Sequence, residues 1–135
     1  MVEKRFPRAV ESLSSLTGFV REFFVEHGLP ADRIFDVDLV LEELFTNMVR
    51  HARGGRSEIA VGLDHDRATL TLRLRDFDVE PWDLSQAPEP DLSLPLEERR
   101  PGGLGLRLVR QVTNDLRYEH ADGVTTVTAE LPVTA

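Results

Sequence analysis

The stretch SEIAVGLDHDRATLTLRLRD, residues 57–76, decides the fold. Residues 57–64 and residues 68–76 alternate apolar and polar side chains with a period of two, which is typical of strands that bury one face. The polar residues His65, Asp66 and Arg67 lie between the two runs, so the stretch predicts a β-hairpin. Because hairpin strands pair antiparallel, at least this part of the sheet is antiparallel.

A second hairpin is predicted near the end of the sequence. The runs DLRYEH at 115–120 and VTTVTAEL at 124–131 flank the turn Ala121-Asp122-Gly123, and Asp-Gly is a preferred turn dipeptide. A further short strand is expected at residues 2–6.

Two helices are predicted before the first hairpin. From about Ala9 to His27, apolar residues recur at spacings of three and four, and Gly28 ends this amphipathic helix. The second helix is expected from Asp32, as its N-cap, to about Ala52, before two glycines. Helices grouped on one face of such a sheet predict an α+β two-layer sandwich with a mixed, mostly antiparallel sheet and a pocket between the layers.

Composition and charge narrow the class of protein. A chain of 135 residues with 41% hydrophobic content is long enough for one domain, 1–135, and too short for two. The net charge of -8 argues against direct nucleic-acid binding or an acidic-membrane surface, because either needs a basic patch. The absence of cysteine excludes disulfides and thiolate zinc sites. Without a signal-like N-terminus or a run of ~20 apolar residues, we expect a soluble, cytoplasmic protein.

Residues 77–100 form a long segment without periodicity. Five of the eight prolines lie between Pro81 and Pro101, and residues 76–98 hold eight acidic residues with no lysine or arginine. Segments of this length in a compact domain are typically functional lids or disordered, and we expect a mobile lid here. Gly102 and Gly103 then lead into LGLRLVRQV, a predicted short helix.

The second helix carries a polar stripe beside its apolar arc. Glu43, Asn47 and His51 follow one another at intervals of one turn. One interpretation is a salt-bridged surface stripe with a histidine packed at the core margin. The other is chemical: an asparagine oxygen suits Mg²⁺, and a glutamate one turn away could accept a proton from a hydroxyl that attacks a phosphate.

Two further features have both a structural and a functional interpretation. The run GGLGL at 102–106 either gives flexible entry to a helix after a proline or forms an anion site from free backbone N–H groups. It lacks the lysine and hydroxyl residues of a Walker A loop. Asp76 is either a solvated strand end or a carboxylate that accepts a hydrogen bond from an exocyclic amine, such as that of adenine.

These features, in this order, resemble the GHKL superfamily of ATP-binding domains, whose fold is the Bergerat or histidine-kinase-like ATPase fold. The resemblance is greatest to the small stand-alone anti-sigma-factor serine/threonine kinases. It is carried by LEELFTNMVRHA at 41–52, by GGLGLRLVRQVTNDLRYEH at 102–120 and, in part, by RLRDFDVEPWD at 73–83. With the strand pattern between them, the resemblance covers nearly the whole chain.

The resemblance implies a Mg-ATP site and a role for each matching residue. Glu43 would be the catalytic base or a polarising carboxylate, Asn47 would bind Mg²⁺, and Asp76 would recognise adenine. The glycines and the main chain around them would hold the phosphates, namely Gly102, Gly103, Leu104, Gly105 and Leu106. His51 matches a position near the pocket floor, where we expect a packed, hydrogen-bonded side chain. The implied partners are a sigma factor and an antagonist protein phosphorylated on Ser or Thr.

The middle motif departs from the family pattern. Asp78 and Glu80 stand where glycine or another small residue is expected, and a carboxylate ~5 Å from a phosphate costs about 1 to 3 kcal/mol. Arg99 and Arg100 either offset this cost by reaching the γ-phosphate or form a solvated pair. Three functions therefore stay open: a kinase, a non-catalytic module of the same fold that sequesters partners, and a detached histidine-kinase domain. Exposed sheet edges also make a homodimer conceivable.

Overall fold

A computed structural model describes residues 1–81 and 103–134. The helices are α1 (Leu13–His27), α2 (Ile34–His51) and α3 (Gly103–Val112). The strands are β1 (Val2–Pro7), β2 (Glu58–Asp66), β3 (Thr69–Asp76), β4 (Asp115–Ala121) and β5 (Val124–Pro132). All eight elements were predicted from the sequence, including the short strand at its start. Within the described residues, no helix is long and apolar enough to cross a membrane.

The five strands form one sheet in the order β1-β2-β3-β5-β4. Each of the four pairings is antiparallel, so the described sheet has no mixed part. β5 lies between β3 and β4, which places the end of β3 beside the start of β5, with Asp76 opposite Thr125. The predicted α+β sandwich is therefore confirmed.

Both hairpin turns are tighter than the sequence predicted. His65 and Asp66 belong to β2 and pair with Leu70 and Thr69, so the turn is only two residues long. In the second hairpin Asp122 and Gly123 both have positive φ, at 53° and 78°. This conformation matches the right-handed twist of the flanking strands and explains the Asp-Gly pair.

The core lies between the helices and one face of the sheet. Alternate residues of the central strands point into it, and α2 contributes the apolar arc that its sequence predicted. Burial of a large apolar side chain stabilises the fold by about 1.5–3 kcal/mol, so this arc fixes α2 against the sheet. The buried apolar residues of α2 are Val37, Val40, Leu41, Leu44, Phe45 and Met48.

The helix starts differ from the sequence prediction. Residues Val10–Ser12 form a 3-10 turn before α1, and Ala31–Arg33 form another before α2. The predicted N-cap role of Asp32 is therefore wrong, because Arg33 precedes α2 and no side chain caps the helix. At the other end of α1, Gly28 adopts a left-handed φ of 61° and its N–H bonds back to the last turn, as predicted for a terminating glycine.

Candidate functional site

The polar stripe on α2 lies mostly inside the protein. The side chain of Asn47 is buried, and Glu43 is partly buried one turn before it. Asn47 Nδ2 donates a hydrogen bond to Glu43 Oε1 at 3.3 Å. The surface-stripe interpretation is therefore wrong for these two residues. It also follows that Asn47 Oδ1 is left to face another partner, because the amide nitrogen is engaged by the carboxylate.

His51 does not belong to this buried group. Its side chain is exposed at the end of α2, although it keeps an interaction with its surroundings. The expectation of a packed histidine at the core margin is wrong. The fully buried part of the apolar arc ends at Met48, Val49 packs against the core only in part, and the chain becomes extended at Ala52.

The start of α3 meets Glu43. A Cβ atom placed on Gly105 would lie 2.3 Å from Glu43 Oε2 and 2.4 Å from its Cδ, so only a glycine leaves room for this carboxylate. Leu106 and Val109 are buried and hold α3 against α2. The polar stripe of α2 and the glycine motif of α3, 62 positions apart in sequence, are therefore in contact in the fold.

The other predicted residues of the glycine motif are only partly described. Gly103 begins α3, and Leu104 and Leu106 lie in its first turn, where backbone N–H groups are free to bind an anion. Gly102, Arg99 and Arg100 lie outside the described residues, as does the predicted lid from residue 82 onward.

The environment of Glu43 suits a proton acceptor. Burial raises the pKa of Glu43, the hydrogen bond from Asn47 and the charge of Arg50 lower it, and Glu42 raises it. A carboxylate that is partly desolvated holds a proton more tightly than one in water, which makes it a better general base.

Asp76 is a buried carboxylate at the end of β3. Its side chain is 1% exposed, so the solvated-strand-end interpretation is wrong. Arg8 Nη2 donates a hydrogen bond to Oδ1, whereas Oδ2 is buried and has no hydrogen-bond partner among residues 1–81 and 103–134. Burial raises the pKa of Asp76, while the hydrogen bond and charge of Arg8 and the backbone amide of Phe77 lower it.

A small apolar cleft, with an enclosed volume of about 10 Å³, lies beside Asp76. Thr125, the cross-strand neighbour of Asp76, contributes a buried hydroxyl group to its wall. An apolar cleft with few polar groups is typical of a small-molecule site. The cavity is lined by Met48, Ala52, Asp76, Glu80, Tyr118, Thr125 and Val127.

Sequence reasoning missed two residues of this site, Arg8 and Thr125. Both reach Asp76 only through the tertiary fold, across 68 and 49 positions of sequence. For Thr125, the register of the two hairpins could have given the position once the strand order was known. No local sequence pattern indicates that Arg8 contacts Asp76.

The segment that departs from the family pattern is fixed at residues 77–80. Backbone N–H groups of Gly55 and Arg56 donate to Asp78 and Phe77, and the N–H of Val79 donates to Gly123. Asp78 has a φ of 58°, the left-handed conformation that favours the glycine of the family motif. Its side chain is 62% exposed and pairs with Arg56, so its charge points away from the cavity.

The arrangement fits a nucleotide with a phosphate-bound cation. Asp76 Oδ2 offers a buried acceptor without a partner among the described residues, and Gly105 lets the carboxylate of Glu43 approach the start of α3. Among the described residues, no group of three or more acidic or histidine side chains could hold a metal ion alone. A cation here would thus take most of its ligands from water and phosphate, as Mg²⁺ usually does.

The chain belongs to the histidine kinase-like ATPase domain family, whose model matches residues 6–131. The antiparallel sheet with its helices agrees with this class of protein.

Its relatives include protein kinases. The chain is 31% identical over 119 residues to the serine/threonine-protein kinase BtrW of Bordetella bronchiseptica, covering 83% of both chains. It is 27% identical over 128 residues to the serine-protein kinase RsbW of Bacillus cereus, covering 92% of this chain and 80% of that protein.

Solved structures share the fold at lower identity. The RsbU and RsbW domains of Rv1364c from Mycobacterium tuberculosis superpose with a TM-score of 0.61 at 17% identity; all of this chain is covered but only 34% of that one. The histidine kinase AdeS of Acinetobacter baumannii gives a TM-score of 0.52 at 14% identity, with 100% of this chain and 69% of that chain covered.

Proposed function

We propose that this protein is a Mg-ATP-dependent serine/threonine kinase of the anti-sigma-factor type, which binds a sigma factor and phosphorylates an antagonist protein. The observation that carries the proposal is the meeting of Glu43, Asn47 and Gly105. A proton acceptor, an amide suited to a cation and a glycine-led helix start lie together. Phosphoryl transfer to a hydroxyl needs these three groups at one point.

Each residue has a distinct task in this proposal. Glu43 accepts the proton of the serine or threonine hydroxyl as its oxygen attacks the phosphorus. Asn47 Oδ1 would be a ligand for Mg²⁺, and the backbone N–H groups at the start of α3 would hold the phosphates. Bound Mg-ATP supplies the phosphoryl group, and ADP leaves.

The opposite end of the site would hold the adenine ring of the nucleotide. Asp76 Oδ2 is suited to accept a hydrogen bond from the exocyclic amine of adenine, and the cavity beside it is mostly apolar. The exposed, paired position of Asp78 supports nucleotide binding, because an outward charge that is neutralised by Arg56 repels phosphate weakly.

Calorimetric titration with Mg-ATP tests the nucleotide site. We expect Mg²⁺-dependent binding by the parent protein, weakened at least about tenfold in Asn47→Asp and largely kept in Glu43→Ala, because a proton acceptor contributes little to ground-state binding. Transfer of labelled phosphate to a candidate antagonist should be lost in Glu43→Ala. Undiminished transfer in that variant would remove Glu43 from the role of base.

The competing function is a partner-sequestering module that does not use ATP. Glu80 favours it, because this carboxylate lines the cavity where the family motif expects a small residue. Such a module would give no heat and no thermal shift at millimolar Mg-ATP, yet would still bind its protein partner. Homodimerisation stays a prediction.

A further inference from the structure

Arg8 is anchored in three directions beside the cavity. Its Nε donates to the carbonyl oxygen of Arg56 at 2.9 Å, its Nη1 donates to that of Met48 at 3.2 Å, and its Nη2 donates to Asp76 Oδ1. The side chain is 15% exposed. A planar guanidinium held at three nitrogens cannot rotate without breaking two of its bonds, so it also fixes the orientation of the carboxylate that it contacts.

Within residues 1–81 and 103–134, Arg8 is the one charged hydrogen-bond partner of Asp76. Its neighbours in the sheet, Ile59 on β2 and Thr125 on β5, are uncharged. The cavity beside it is also lined by Glu80 and Tyr118, which are the other titratable groups on that side. Ionisation of Asp76 in this buried place therefore depends chiefly on Arg8.

We infer that Arg8 is a positioning residue that occupies Oδ1 and presents Oδ2 of Asp76 to the base, so that the site selects bases carrying an exocyclic amine. This inference rests on the proposed nucleotide binding. An ionised carboxylate can only accept a hydrogen bond, so it favours the amine of adenine and repels a carbonyl oxygen at the same position. A protonated carboxyl can donate, and would tolerate the carbonyl.

Comparison of ATP with ITP tests the inference, because inosine carries a carbonyl oxygen in place of the adenine amine. A hydrogen bond to a charged group corresponds to about a ten- to hundredfold difference in affinity. We expect the parent protein to prefer ATP by about this factor. In Arg8→Met the preference should fall to about threefold or less, and it should fall further as the pH is lowered from 8 to 6. Arg8→Lys, which keeps the charge without the planar fork, should lie between the two.

Arg5→Met is the matched control. Arg5 lies on β1, three residues before Arg8; its guanidinium lies over the ring of Phe77 at 5.1 Å, and among the described residues it makes no hydrogen bond to Asp76. Its ATP/ITP ratio should equal that of the parent protein at every pH. The ratio of two affinities is unaffected by a change in the folded fraction, so destabilisation of an Arg8 variant does not imitate the expected result.

The outcomes separate this inference from the proposed function. If the parent protein binds neither nucleotide, the proposed function fails. If it binds both equally, or if Arg8→Met discriminates as the parent does, nucleotide binding stands and the role of Arg8 is overturned. If Arg8→Met does not fold, an unchanged ATP/ITP ratio in Arg8→Lys overturns it equally, because lysine keeps the charge but lacks the planar fork that fixes the orientation of the carboxylate.

Discussion

At the scale of single residues, Gly105 is defined by what it makes room for. Its missing side chain leaves the space that the carboxylate of Glu43 occupies, with 2.3 Å between that carboxylate and the position of a Cβ atom. The obstructing atoms are the far end of a flexible side chain and not backbone. An added methyl group would therefore move Glu43 and leave α3 in place.

Gly105→Ala should consequently separate activity from stability. Alanine favours a helix over glycine by up to about 1 kcal/mol, so we expect the free energy of unfolding to stay within about 1 kcal/mol of the parent value. Phosphate transfer should fall to the level of Glu43→Ala, because the proton acceptor is displaced. Urea denaturation and a transfer assay measure the two quantities.

Gly18→Ala controls for the helix effect. Gly18 lies within α1, where a Cβ atom would meet nothing within 4 Å. This variant should gain about 0.5–1 kcal/mol of stability and keep full transfer activity. Full activity in Gly105→Ala as well would show that the position of Glu43 does not matter for transfer.

At the scale of elements, residues 77–80 link the loop after α2 to the second hairpin through hydrogen bonds. The N–H of Glu80 donates to Arg53, and His120 Nε2 lies 2.9 Å from the carbonyl oxygen of Val79. These bonds place the two acidic residues of this segment, Asp78 and Glu80, in different surroundings. Asp78 faces outward beside Arg56, whereas Glu80 lines the cavity.

Neutralising the two carboxylates should therefore have unequal effects on Mg-ATP affinity. Asp78→Asn should change the dissociation constant by less than about twofold, because its charge is exposed and paired. Glu80→Gln should strengthen binding by about two- to fivefold, since one repulsive charge is removed from the cavity wall. The gain should shrink in 0.5 M salt. A larger gain for Asp78→Asn would mean that Asp78, and not Glu80, carries the charge that opposes nucleotide binding.

The elements could be predicted closely from the sequence, and their contacts could not. Periods of two and of three to four residues reveal which face of each strand and helix is buried, which is why α2 and the hairpins were placed within a few residues. The error at His51 arose because periodicity does not show where a helix leaves the core. The contacts of Arg8 and Thr125 with Asp76 depend on the strand order, which no local pattern encodes.

At the scale of the whole molecule, the fold keeps several carboxylates in surroundings that disfavour their charge. Burial raises the pKa of Asp38, Glu43 and Asp76, and the chain already carries a net charge of -8. A raised pKa in the folded state means that the folded protein binds the proton more tightly than the unfolded chain. Each such group stabilises the fold fully below its ordinary pKa, and this stabilisation is lost as the pH rises through the raised value. The stabilisation contributed by these three groups should therefore be smaller at pH 7.5 than at pH 4.5.

Asp38 isolates this effect from catalysis. It lies on α2 with Oδ1 buried and without a hydrogen-bond partner among the described residues, and its other oxygen lies 3.5 Å from Arg21 of α1. Asp38→Asn keeps the shape and removes the buried charge, at little cost to Arg21, which is 53% exposed. Urea denaturation should show a variant more stable than the parent at pH 7.5, because the buried charge is removed. The difference should diminish toward pH 4.5, with phosphate transfer unchanged.

Asp32→Asn, the substitution of an exposed aspartate, controls for the loss of one charge. Equal gains in both variants would attribute the effect to net charge, and a loss of stability in Asp38→Asn would mean that its pairing with Arg21 outweighs its burial.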